Sequence, residues 1–123
     1  MSSPQQRLRD RLRHILQAIE RIDRYTATMD QSTFLDDSLV QDAVIRNLEI
    51  IGEAANDILK RHSEFAAARP HLPLTQAYQM RNALAHGYFS VDFRLVWQTV
   101  VSDLPSLIVQ VQQALDDLLI GND

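Results

Sequence analysis

The sequence predicts an all-α fold, an antiparallel four-helix bundle with a short extra helical turn between its second and third main helices. Three observations point that way. Glycine and proline are scarce, at three and four in 123 residues. Apolar residues recur every three or four positions over long stretches, and capping residues stand where those stretches begin. A chain of this length is expected to be one domain, covering residues 1–123, and to bury a real core.

Each element has its own justification. Ser3 and Pro4, with Gln6 three positions after Ser3, read as an N-cap, a first-turn proline and a capping box. Leu8, Leu12, Ile15, Ile19, Ile22 and Met29 then carry a first helix over about residues 4–29. Residues 30–38 read as a polar connection, with Asp37 or Ser38 capping the second helix. That helix covers roughly 39–61, and Val40, Val44, Leu48, Ile51, Ala55 and Ile58 fall within about 80° of arc. Ile45 and Ile50 lie outside that stripe. An apolar arc this wide places the helix either at the bundle centre or partly in a subunit interface. Gly52 costs about 1 kcal/mol relative to Ala in mid-helix, which suggests close approach of another helix.

Ser63 is expected to cap a short turn over 64–69 before Pro70 and Pro73 interrupt the chain. Thr75 can cap a third helix over about 76–86, buried through Ala77, Met80 and Leu84 and ended by Gly87. Asp92 opens a fourth, whose apolar positions run from Phe93 through Val96, Trp97, Val100, Leu104, Leu107, Val111 and Leu115 to Leu118. Pro105 lies inside it, so a kink is expected near Asp103–Leu104.

Composition narrows the function classes. With no cysteine, disulfides and thiol catalysis are excluded. No apolar run approaches the roughly 18 residues of a membrane span, and the N-terminus lacks a signal-peptide core, so a soluble cytoplasmic protein is expected. The net charge of −4 argues against bulk nucleic-acid binding. The charge is uneven, however. Residues 1–24 hold six arginines against three acidic groups, while the remainder holds six cations against thirteen. The arginine-rich face is either a solvated surface of helix ion pairs or a site for an anionic ligand or partner.

The chemistry concentrates in Arg81-Asn82-Ala83-Leu84-Ala85-His86-Gly87-Tyr88. Arg is a fixed, bidentate phosphate ligand, and His titrates nearest neutrality. On an ideal helix Arg81 and His86 stand about 140° apart, so they converge only if the last turn loosens or across a dimer. Spacing alone also allows a plain helix end, with His86 placed by the macrodipole and Gly87 as an ordinary stop. Tyr88, past that stop, is expected on an exposed loop. The ridge Glu49, Glu53 and Asp57 reads as a solvated or interface face. His14, His62 and His71 read as surface residues without metal-ligand spacing, and Phe93 and Trp97 read as core.

This stretch resembles the Arg-x4-His-x-Tyr signature of HEPN-domain proteins, specifically the HepT-like toxin family. The likeness extends through AVIRNLEIIGEAA (Ala43–Ala55), MRNALAHGYFSVDFRLVW (Met80–Trp97) and DLPSL (Asp103–Leu107). It covers the chain from Phe34 to about Leu118. One departure is Leu74-Thr75, where the family pattern has a tryptophan.

The resemblance implies a metal-independent endoribonuclease toxin, without cofactor, acting as a homodimer whose two motifs form one RNA-cleaving cleft. His86 would transfer protons, Arg81 would hold the phosphate, and Asn82 would orient the phosphate or His86. It further implies a minimal nucleotidyltransferase antitoxin as partner, which adds AMP to Tyr88 and so blocks the cleft with anionic bulk. The alternative is a non-catalytic helical module that binds a nucleotide or the nucleotidyltransferase itself.

Overall fold

The computed structural model describes residues 3–86 and 91–121. Over these residues the chain is helical, with no strand among them: α1 (Pro4–Thr26), α2 (Gln31–Leu35), α3 (Ser38–Arg61), α4 (Ser63–Ala67), α5 (Leu74–His86), α6 (Phe93–Gln98), a π-helical turn (Thr99–Asp103) and α7 (Leu104–Ile120). α6, the π turn and α7 together make the fourth main helix.

α1 begins as expected, with the Ser3 hydroxyl accepting from the Gln6 backbone N–H. The rest of the capping box is not made. The Gln6 side chain instead donates to Asp10, one turn on. α1 also stops at Thr26 rather than near Met29. There the Thr26 hydroxyl donates back to the Ile22 carbonyl, and the Met29 N–H closes a turn on Thr26.

The stretch read as a polar connection contains α2. Asp30 accepts from the Thr33 N–H while the Thr33 hydroxyl accepts from the Asp30 N–H, a reciprocal capping box. This short helix carries one large apolar anchor. Phe34 is fully buried, with Trp97 at 5.2 Å and Phe93 at 6.5 Å between ring centroids. Gln41, also buried, donates to the Phe34 and Leu35 carbonyls and ties off the end of α2.

Asp37, not Ser38, caps α3 by accepting from the Val40 N–H. The wide apolar arc of α3 has a simple cause, because α1 packs against it on one side and α5 on another, with α2 and α4 at its ends. Val44, Leu48, Ile51, Ala54, Ala55 and Ile58 are buried, and Ile45 and Ile50 are half-buried against the same core. α3 is the central helix of the bundle.

Three further expectations are corrected. α4 starts at Ser63 itself, with His62 in the cap position and no side-chain cap. α5 starts at Leu74, which is buried, so Thr75 lies inside the helix and does not cap it. Ala77 and Met80 are only partly buried. At Asp103–Leu104, ahead of Pro105, the fourth helix is irregular, where the sequence places a defect. The chain widens over Thr99–Asp103, and the Leu104 N–H reaches five residues back to the Thr99 carbonyl. A proline lacks the N–H of the regular ladder and its ring crowds the preceding turn, and a π turn just upstream relieves both defects.

No helix among the described residues is long and apolar enough to cross a membrane.

Candidate functional site

α5 presents the motif, and α3 positions α5. At Gly52 a Cβ would overlap the Cβ of Arg81 and stand 3.0 Å from the Ala77 carbonyl oxygen. The glycine therefore lets α5 close onto α3 at Arg81, which is the close approach expected from the sequence. The Arg81 side chain is held between two helices, one-third exposed, with its Nε out of solvent and unpaired among the described residues. Nη1 donates to the Asn82 side-chain oxygen at 3.2 Å, and Nη2 lies 3.8 Å from Glu53 Oε1. Glu53 is thus not a purely solvated member of its ridge. It faces the motif cation.

His86 stands exposed at the end of α5, with its Nδ1 2.8 Å from the backbone carbonyl of Asn82. A carbonyl only accepts, so Nδ1 carries the hydrogen in this contact. In the neutral ring that leaves Nε2 with the lone pair, and Nε2 is the nitrogen able to take a proton.

The hydrogen bonds of Arg81 and His86 go to other groups, as their spacing on the helix anticipates. Asn82 links them: its side chain holds Arg81, and its backbone holds His86. The side-chain oxygen accepts from the arginine, and the contact to the histidine is made by the backbone. Gly87 and Tyr88, expected as the helix stop and an exposed phenol, lie outside the described residues.

Arg81 also lines a groove of about 290 Å³ with Tyr78 from α5 and Glu53, Asp57, Lys60 and Arg61 from α3. A larger cavity of about 480 Å³, lined in part by Met80, Ile51 and Leu104, includes none of the motif residues. Of the described motif residues, Arg81 alone reaches the smaller, charged groove.

Asp57 completes the surroundings. Its two oxygens lie 2.8 Å from Arg11 Nε on α1 and 2.8 Å from Arg61 Nε on α3. Burial would raise its pKa, but the Arg11 hydrogen bond and the charges of Arg11, Arg61 and His62 hold the carboxyl below its ordinary value. His62, expected at the surface, is half-buried with Nε2 sealed from solvent and unpaired among the described residues. Burial pushes its pKa down, and Arg7, Arg11 and Arg61 add to this against the opposing pull of Asp57. Sequence reasoning missed this cluster because its parts lie far apart along the chain. No group of three or more metal-ligating side chains converges among the described residues.

A family profile described as ribonuclease HepT-like matches residues 15–114, most of the chain and all of Arg81–Tyr88. The chain belongs to the HepT-like ribonuclease family. The chain is 43% identical over 99 residues to a Thermococcus cleftensis protein named probable ribonuclease HepT, covering 80% of this chain and 87% of that protein. A Methanocaldococcus jannaschii protein provisionally named an RNase is 33% identical over 115 residues, covering 94% of this chain and 97% of its own length. A longer protein of the same organism, named as a gamma-glutamylcyclotransferase and provisional RNase, is 37% identical over 107 residues, 87% of this chain but 47% of that protein. No solved structure matches the chain.

Proposed function

We propose that this HepT-like chain is the toxin of a type VII-like toxin–antitoxin pair, a metal-independent endoribonuclease. Its cleft forms where two copies bring their Arg81 and His86 together. The observation that carries this reading is the Asn82 bridge, which fixes a guanidinium and orients an exposed imidazole with Nε2 as the proton-accepting nitrogen.

The chemistry follows from those groups. His86 Nε2 takes the proton of a ribose 2′-OH as that oxygen attacks the adjacent phosphorus. Arg81 holds the non-bridging oxygens and the charge they gain in the phosphorane. The 5′-oxygen leaves with a proton supplied by the imidazolium of the second copy, giving a 2′,3′-cyclic phosphate and a free 5′-OH. A dimer supplies acid and base from the same residue type, which one copy of the motif does not.

Cleavage of total cellular RNA and growth arrest test the reading. His86→Ala and Arg81→Ala are expected to lower cleavage by at least about a hundredfold with the helical fold retained, the usual worth of a positioned acid–base or oxyanion group. Full cleavage by the His86→Ala protein would sink it. Growth arrest by that variant without RNA cleavage would instead favour the non-catalytic, partner-binding module.

Neutralisation is proposed to act through Tyr88. A nucleotidyltransferase antitoxin joins the Tyr88 phenol oxygen to the α-phosphorus of ATP and releases pyrophosphate. The AMP then sets negative charge two residues from His86, where it repels RNA phosphate. Tyr88→Phe should therefore stay toxic beside the active antitoxin, and neutralisation of that variant by nucleotidyl transfer would overturn this part of the proposal.

A further inference from the structure

The arginine-rich N-terminal helix has no role in the motif chemistry, and the structure sorts its cations. Arg9 donates to Gln6 and Arg13 lies 3.6 Å from Asp10, so both belong to a network within α1. Arg11 turns the other way, across to Asp57 on α3. There it meets Arg61, while Arg81 approaches Glu53 one turn earlier on the same ridge. Cations from α1, α3 and α5 thus converge on one edge of α3.

The charge there is not balanced. Arg11, Lys60, Arg61 and Arg81 face two carboxylates, Glu53 and Asp57, in a chain whose overall charge is −4. This edge therefore carries +2 while the remainder of the chain carries −6. Lys60 and Arg61 also lie in the last turn of α3, where the helix dipole favours cations. That accounts for those two residues but not for Arg11 and Arg81 converging on the same ridge.

We infer that the groove between α3 and α5 is the seat of a single RNA strand leading away from the scissile phosphate at Arg81, with Lys60 and Arg61 holding successive phosphates, Tyr78 offering its ring to a base, and Arg11 adding its charge across Asp57 from the adjoining α1 side of the ridge. This rests on the nuclease reading and extends it beyond the motif. Glu53 to Arg61 covers about 12 Å of helix axis, or about three nucleotides at the 3.4 Å rise of a stacked strand. Phosphate-facing cations with an interleaved aromatic ring are the ordinary composition of a single-strand seat. Asp57, clamped by two guanidiniums, fixes their positions and neutralises only one of the two.

The test is fluorescence anisotropy of a labelled 12-nucleotide single-stranded RNA, titrated at several salt concentrations, in the His86→Ala background to prevent cleavage. The paired change Lys60→Gln with Arg61→Gln is expected to weaken binding at least fivefold. It should also reduce the slope of log affinity against log salt by about 0.7 per contact removed. Arg11→Gln should act in the same direction, and Arg94→Gln, an exposed cation on α6, should change neither. Because the Arg61 side chain is 71% exposed, its replacement leaves the core intact, and melting curves check this.

Affinity and slope unchanged both in the paired variant and in Arg11→Gln would overturn the seat. If the unmutated protein cleaves RNA in that case, the nuclease reading stands without it. Weakened binding with no cleavage by the unmutated protein would leave the seat and remove the nuclease. A shift in oligomeric state with RNA affinity unchanged would assign the groove to a protein contact and also overturn the inference.

Discussion

At the scale of single residues, Asn82 does more than its neighbours suggest, because two different parts of it serve two different partners. Its side-chain oxygen accepts from Arg81, and its backbone carbonyl accepts from His86. Substitution separates the two. Asn82→Ala removes the first bond and keeps the second, so the orientation of His86 survives while Arg81 loses a fixed partner. The proposed cleavage is expected to fall about tenfold, corresponding to about 1.4 kcal/mol, the scale of one hydrogen bond to a charged group. Its pH profile should not move. A displaced profile in that variant would show that Asn82 acts on the histidine after all. The motif residues were legible in the sequence because they lie within eight positions on one helix end. The Glu53 contact to Arg81 was not, because 28 positions separate the two and only the packing of α5 on α3 closes the gap.

At the scale of elements, Gly52 sets two effects against each other. Helix propensity alone makes Gly52→Ala stabilising by about 1 kcal/mol. The overlap of the new Cβ with the Cβ of Arg81, and its contact with the backbone of Ala77, opposes this. A Cβ is not the far end of a flexible side chain, so α5 must shift, and overpacking of this kind costs about 1–3 kcal/mol. Gly52→Ala should therefore lower the melting temperature and reduce RNA cleavage together. A rise in the melting temperature would show that α5 yields freely.

The glycine was readable as a close approach, and Asp37, Asp92 and Ser3 were readable as caps, because a cap is decided within a few residues. α2 was hidden because it offers one apolar anchor, Phe34, too few for any periodicity. The π turn was hidden for another reason. Proline announces a defect in the ladder, but whether the chain bends or widens depends on what packs beside it.

At the scale of the whole molecule, the Asp57–His62 region links stability to pH. Burial holds the His62 pKa below its ordinary value of 6.5, so the folded chain keeps the ring neutral where the unfolded chain would protonate it. That contribution is fully present above about pH 6.5 and is lost as pH falls below it. Asp57, held below its ordinary 3.8, contributes above that value and loses its contribution only in stronger acid. The melting temperature of the wild type is therefore expected to fall between pH 7 and pH 5, and His62→Gln should flatten that decline. An equally steep decline in the variant would place its origin elsewhere.

The sequence by itself determined the helical class, the four main helices, most of their caps and the Arg81–Tyr88 motif, since periodicity, capping and motif spacing are local properties of the chain. Only the tertiary structure decided which face of α3 meets which neighbour. Arg11 reaches Asp57 across 46 positions, and no local pattern encodes that contact. It exists because α1 and α5 both bury their apolar faces against α3 and carry their cations with them to its edges. The charged groove beside Arg81 follows from hydrophobic packing that brings α1, α3 and α5 together.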